Sequence, residues 1–182
     1  MVHVSIQHII GTAALIGLAI SAALAYQIIV GYVETSVLQS QLKQTAEYVS
    51  MSIANMISLT EFTYGILSTG TVTKRLSLPA DLSGKTYIVR LVGEGGRYSV
   101  RVEIAGRSDL YATSPILVNS TATSMLILTD ETVQEFENRN IRLLDESVRP
   151  QTYVYGGNPN IVIWCEKIGG VIYAGLGLRG SE

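Results

Sequence analysis

Ile9-Ile10-Gly11-Thr12-Ala13-Ala14-Leu15-Ile16-Gly17-Leu18-Ala19-Ile20-Ser21-Ala22-Ala23-Leu24-Ala25-Tyr26-Gln27-Ile28-Ile29-Val30-Gly31-Tyr32-Val33 is an apolar run that sits inside residues 2–33, a stretch with no Asp, Glu, Lys or Arg. Its alanines, leucines and isoleucines combine good helix formers with an apolar surface all round. At about 1.5 Å of rise per residue it reaches across a hydrocarbon core of roughly 30 Å with some tilt. The sequence therefore predicts a transmembrane helix, residues 1–33 with its N-terminal tail. Glycines at 11, 17 and 31 do not break such a helix in lipid, where an unmade backbone hydrogen bond is expensive. Gly17, Ser21 and Ala25 recur every fourth position and leave one face nearly free of side chains, a geometry on which a second helix can approach closely.

Ala23-Leu24-Ala25 also reads as an A-x-A cleavage site after an apolar region, so a cleaved, secreted form is a competing reading. Against it, the tail before the run carries no Lys or Arg, and apolar residues continue from Tyr26 to Val33, which cleavage would leave in water.

The helical period continues past Val33. Val37, Leu38, Leu42, Ala46, Val49, Ile53, Met56 and Ile57 fall three and four apart, while Glu34, Gln39, Gln41, Lys43, Gln44 and Glu47 take other faces. This predicts an amphipathic extension over 34–60 and, from Ile9 to Leu59, one helix of roughly 75 Å. The stripe requires a cover, either the chain's own C-terminal region or neighbouring helices. Val37, Leu42, Val49 and Ile53 are its candidate packing positions. Thr60, Thr63 and Gly65 mark the helix end.

After Gly70 the period becomes two. Arg97-Tyr98-Ser99-Val100-Arg101-Val102-Glu103-Ile104 alternates polar and apolar throughout, which predicts a strand with one wet face. It follows Thr86 to Val92 through Gly93-Glu94-Gly95-Gly96, a loop suited to a hairpin. Further strands are predicted at 72–78, 110–112, 116–118, 125–129, 152–155, 161–165 and 171–176, and a helix between Asp130 and Val148 on Val133, Phe136, Leu143 and Leu144. Short strands separated by Gly, Pro, Asn and Ser point to an antiparallel sandwich or curled sheet over 61–182. The fold class expected is α+β.

Composition narrows the function. A net charge of −2 and a pI near 5.7 provide no basic footprint for nucleic acid. Cys165 is the only cysteine and lies among apolar neighbours, so it reads as a small buried hydrophobe rather than a ligand or nucleophile. His3 and His8 are the only histidines and both precede the span, which disfavours Ser-His and Cys-His hydrolase chemistry. Asp130, Glu131, Glu135, Glu137, Asp145 and Glu146 are interleaved with Arg139, Arg142 and Arg149 without calcium-loop spacing, and read as a solvated face. Gly175-Leu176-Gly177-Leu178-Arg179-Gly180 matches G-x-G-x-x-G formally, yet only two residues follow where the motif needs a helix. Tyrosines at 87, 98, 111, 153, 155 and 173 are read as core or cross-strand partners rather than a stacking platform. No catalytic residue, cofactor or metal is called for.

The succession of parts resembles archaeal type IV pilin-like proteins: an N-terminal apolar helix, its amphipathic extension and a β-rich head. Locally, Thr71 to Pro79, then Leu82 to Val89 and Tyr98 to Ile104, look like the strand, S/T-L-P, Gly-x-x-Tyr and hairpin succession of that group. The resemblance implies a non-enzymatic structural or assembly subunit at a cell surface, whose N-terminal helices sit in the membrane or bundle into a filament core. It implies partners that are the membrane, further copies or other pilin-like subunits, and a head on the outside, where the sequon Asn119-Ser120-Thr121 becomes a usable N-glycosylation site. Prepilin processing sites usually place Lys or Arg before Gly or Ala, whereas Gly11 follows His8-Ile9-Ile10, so an uncleaved anchor fits these residues as well. The rival readings are a monomeric anchored binding or regulatory module and, third, a secreted enzyme.

Overall fold

The computed structural model describes residues 2–63, 70–118 and 124–180, with the side chains of 2–7 and Thr63 outside the description. It divides into two compact units, Met1–Leu38 and Gln39–Glu182. One helix, α1 (Val2–Thr63), belongs to both. The division falls inside the amphipathic extension rather than at its end, because the second half of the stripe is part of the β-rich unit's core. Helix α1 runs to Thr63, one of the residues expected to mark its end, and Thr60 lies in its last turn, where its hydroxyl donates to the Met56 carbonyl (2.8 Å).

In the first unit the described part of α1 is exposed almost throughout. By length and composition it contains a segment able to cross a membrane, with a mean hydropathy of 2.1 over its most apolar window and none of that window buried. Hydroxyls that would otherwise stand alone on this surface bond back along the helix: Thr12 to His8 O, Ser21 to Gly17 O and Thr35 to Gly31 O, at 2.8 to 2.9 Å.

The second unit is mostly antiparallel and built in two sheets. Its nine strands among the described residues are β1 (Val72–Arg75), β2 (Tyr87–Glu94), β3 (Arg97–Ile104), β4 (Arg107–Pro115), β5 (Ser124–Ile127), β6 (Val148–Gln151), β7 (Tyr153–Tyr155), β8 (Ile161–Ile168) and β9 (Val171–Arg179), with a short helix α2 (Val133–Asn138) after β5. One sheet has the order β4-β3-β2-β7. The other runs β1-β8-β9-β5, with β6 also on β9. Strand β9 shares one edge between two partners: β5 pairs with Val171–Ala174 and β6 with Leu176–Arg179.

Several expectations hold. The β2–β3 hairpin forms, though β2 continues through Gly93 and Glu94 and only Gly95-Gly96 turn. Both glycines have positive φ, 56° and 78°, which a two-residue I′ turn requires. The mostly antiparallel, two-sheet arrangement is as expected, with β5 on β9 the one parallel pair among the described strands. Other expectations are corrected. Residues 116–118 form no strand. The helix expected between Asp130 and Val148 is confined to Val133–Asn138, and Ile141 and Leu143 pack from irregular chain against the cluster that holds Phe136.

Leu42, Ala46, Val49, Ile53, Met56 and Ile57 of α1 are buried in this unit, most of them completely. Full burial of such a side chain contributes about 1.5–3 kcal/mol, so packing rather than helix propensity fixes this segment. Polar contacts tie it on both flanks. Gln39 Nε2 donates to Tyr111 O (2.9 Å), the hydroxyls of Ser50 and Ser114 share a hydrogen bond (2.8 Å), Ser83 donates to Gln41 Oε1 (2.8 Å) and Lys74 to Ser52 Oγ (3.2 Å). Both sheets therefore hold the helix.

The five residues Ile161 to Cys165 of β8 are wholly buried on both faces. On one side Val162 and Trp164 join Leu128, Phe136, Val148 and Tyr173 in a second cluster. Phe136 meets the Trp164 and Tyr173 rings edge-on. The glycines dismissed as a nucleotide motif belong here. A Cβ on Gly175 would come within 2.7 Å of the Trp164 ring, and one on Gly177 within 3.0 Å of Arg149 O. Their absence lets the indole lie across β9 and donate from Nε1 to Leu176 O (2.9 Å).

Candidate functional site

The residues expected to mediate packing fall into two groups. Gly17, Ser21 and Ala25 lie exposed on α1, and a Cβ at Gly17 would meet nothing within 4 Å. Val37 is also exposed. Leu42, Val49 and Ile53 are fully buried, so of the two covers considered for the stripe, the β-rich unit's own side chains cover these three. Asn119 lies outside the described residues.

Among the described residues, the chemistry-bearing side chains of Cys165, Glu166, Glu135 and Asp145 are engaged within the fold. Cys165 is buried, and burial pushes its thiol up to about 12, only partly opposed by a hydrogen bond with Thr60. Glu166, also buried, accepts from Thr71 Oγ1 (2.6 Å) and from the Leu144 backbone N–H (3.1 Å), which ties β8 to the chain after α2. Of the acidic run, Glu135 pairs with Arg139 and Asp145 with Arg179 (3.0 Å). Hydrogen bonds from Ser147, then Arg179, hold the Asp145 carboxyl below the usual range. Among the described residues no three His, Cys, Asp or Glu side chains are grouped to hold a metal ion. A groove of about 450 Å³ runs beside α2, lined by residues including Phe136, Ile141, Arg142 and Pro150.

The arrangement that sequence reasoning missed lies on the outer face of the four-stranded sheet. Inner positions Val89, Leu91, Val100, Val102 and Val154 are buried, which sends the alternate residues outward. Register aligns Tyr111, Glu103, Ile88 and Tyr155 across β4, β3, β2 and β7, and beside them Thr113, Arg101, Arg90 and Tyr153. Tyr111, Tyr153 and Tyr155 are 44%, 44% and 51% exposed. The tyrosines read as scattered over several strands are thus brought, three of them, onto one face.

Glu103 is buried at the centre of this face, so the wet face expected for β3 holds at Arg97, Ser99 and Arg101 and fails at Glu103. Arg90 and Arg101 are directly opposite on β2 and β3, a like-charge pair that is unfavourable by itself. Glu103 lies between them: Oε1 is 2.7 Å from Arg90 Nη2 and Oε2 is 2.9 Å from Arg101 Nε. The Arg101 contact is off the N–H axis and so is an ion pair rather than a hydrogen bond. Arg101 also donates from Nη2 to Ser108 O (3.2 Å) and stacks over the Tyr111 ring, 4.1 Å from its centroid. Arg90 Nη1 lies 3.6 Å from Asp130. Tyr153 and Tyr155 meet edge-on, centroids 5.8 Å apart. The sequence signals were the Tyr-Val-Tyr alternation of 153–155 and a glutamate in an alternating strand. Neither names its partners, which come from other strands.

No known protein family, curated protein or solved structure matches this chain.

Proposed function

We propose that this chain is a non-enzymatic, pilin-like structural or assembly subunit of a cell surface, of the archaeal type its sequence resembles, anchored or polymerised through its N-terminal helix with the β-rich unit outside. The observation that carries this reading is the division of labour within α1. Its first part bears no charge over residues 2–33, whereas its later part is the buried spine of the β-rich unit. In a helix built this way the apolar part and a strip of the head's core belong to one continuous element.

The test begins with carbonate-washed membranes from cells expressing the full chain. Retention, with a mass-spectrometric peptide that spans Ala25-Tyr26, is expected; a soluble protein starting at Tyr26 would refute the anchor. Electron microscopy of the native assembly then separates the readings, since filaments or ordered arrays support a subunit and dispersed single particles favour an anchored monomer. A tag after Glu182 should be labelled on intact cells, and labelling only after permeabilisation would reverse the orientation.

A further inference from the structure

The geometry points to a saccharide-binding platform on the outer face of the four-stranded sheet, shaped for a short, neutral oligosaccharide of another molecule. Tyr153 and Tyr155 provide aromatic surface at one side and Tyr111, one ring face of which is taken by Arg101, at the other, and the polar groups between them are already fixed. Glu103 engages both guanidinium groups, while Ser108 O and the Tyr111 ring restrain Arg101. Side chains held before a ligand arrives lose little freedom when it binds. From Tyr111 to Tyr155 the face crosses three strand spacings, about 14 Å, the reach of a short oligosaccharide rather than of a single ring.

Charge selects among ligands. The two guanidinium groups meet two carboxylates, Glu103 and Asp130, so the face has no excess positive charge to recruit an anion or a nucleic acid. Tyr and Arg are also common in protein interfaces, but here Arg90 and Arg101 have already spent their charge on Glu103 and Asp130, which leaves no unpaired charge to match a protein surface. A neutral sugar satisfies both elements. Its C–H faces lie on tyrosine rings, and its hydroxyls accept from guanidinium N–H groups and donate to the exposed Asp130 carboxylate and to tyrosine oxygens. This inference stands apart from the anchoring role, since it concerns only the second unit.

The test uses the full chain, made without glycans and kept in a detergent that has no sugar headgroup. Maltotriose, cellotriose and mannotriose are the neutral probes and a heparin tetrasaccharide the anionic one, read by saturation-transfer NMR and titration calorimetry. At least one neutral trisaccharide should bind saturably, with transfer to its ring C–H protons. Replacing Tyr153 and Tyr155 together by Ala should weaken it about tenfold or more. Replacing both by Phe should retain most of the affinity, and Tyr48→Ala, on α1, should change nothing. Binding of none of the neutral sugars, binding of heparin alone, or an unaltered affinity in the folded double-Ala variant would overturn the proposal.

Discussion

Gly175 has little room to change. Trp164 is immobilised by burial, by its bond to Leu176 O and by the edge of Phe136, so a methyl 2.7 Å from its ring cannot be accommodated by a simple rotation. Gly175→Ala should destabilise the β-rich unit by about 1–3 kcal/mol, measured as a lower urea midpoint with an unchanged slope. Tyr87 carries a different signature. Burial, then the charge of Asp81, pushes its phenol from 10.0 up to about 12, and its hydroxyl donates to Pro79 O (2.8 Å). The folded state thus holds the proton more tightly than the unfolded state. The resulting stability is complete below pH 10 and is lost as pH rises towards about 12, where the folded phenol also ionises. Tyr87→Phe should lose about 1 kcal/mol at neutral pH from the missing hydrogen bond, yet decline less between pH 10 and 12. Parallel alkaline melts of the two proteins check this; identical slopes would show that Tyr87 does not titrate with unfolding.

At the scale of elements, α1 and the β2–β3 hairpin were legible because each rests on local periodicity: apolar residues three and four apart, and strict alternation closed by glycines. What escaped was non-local. The parallel seating of β5 on β9 depends on which edge β8 leaves open, and no single segment encodes that. Glu103 sat in a polar position of its strand, and its burial became intelligible only once Arg90 and Arg101 were known to flank it. The tyrosine face was hidden for the same reason, since strand order brings β4 and β7 to the two sides of one sheet. The amphipathic half of α1 offers a direct check. Val49 is fully buried and Gln44 exposed, five residues apart on one helix. Val49→Glu buries a carboxylate with no basic partner provided for it and should cost at least about 3 kcal/mol, whereas Gln44→Glu should stay within about 0.5 kcal/mol. Thermal or urea unfolding of the detergent-solubilised chain distinguishes them, and equal stabilities would mean the stripe is not part of the core.

At the scale of the whole molecule, the two units place their demands on different residues, and substitutions can therefore separate anchoring from association. Leu18 is exposed in the first unit, in the middle of the uncharged run. Leu18→Lys introduces a charge at the centre of the proposed span, where an ammonium costs about 2.5–3.5 kcal/mol on insertion scales. It should shift protein out of the carbonate-resistant fraction while leaving the unfolding midpoint of the β-rich unit unchanged. Gly17 asks a different question. A Cβ there meets nothing within 4 Å among the described residues, so Gly17→Leu adds apolar surface and should leave both insertion and head stability intact. If Gly17, Ser21 and Ala25 form the face on which neighbouring helices pack, the added bulk keeps helix axes apart, and filaments or oligomers should be lost from electron micrographs and from crosslinking while the membrane fraction stays full. Assemblies that survive Gly17→Leu unchanged would remove that face from the interface. Assemblies lost only with Leu18→Lys would then show that the first unit serves as an anchor, with association carried by the β-rich unit.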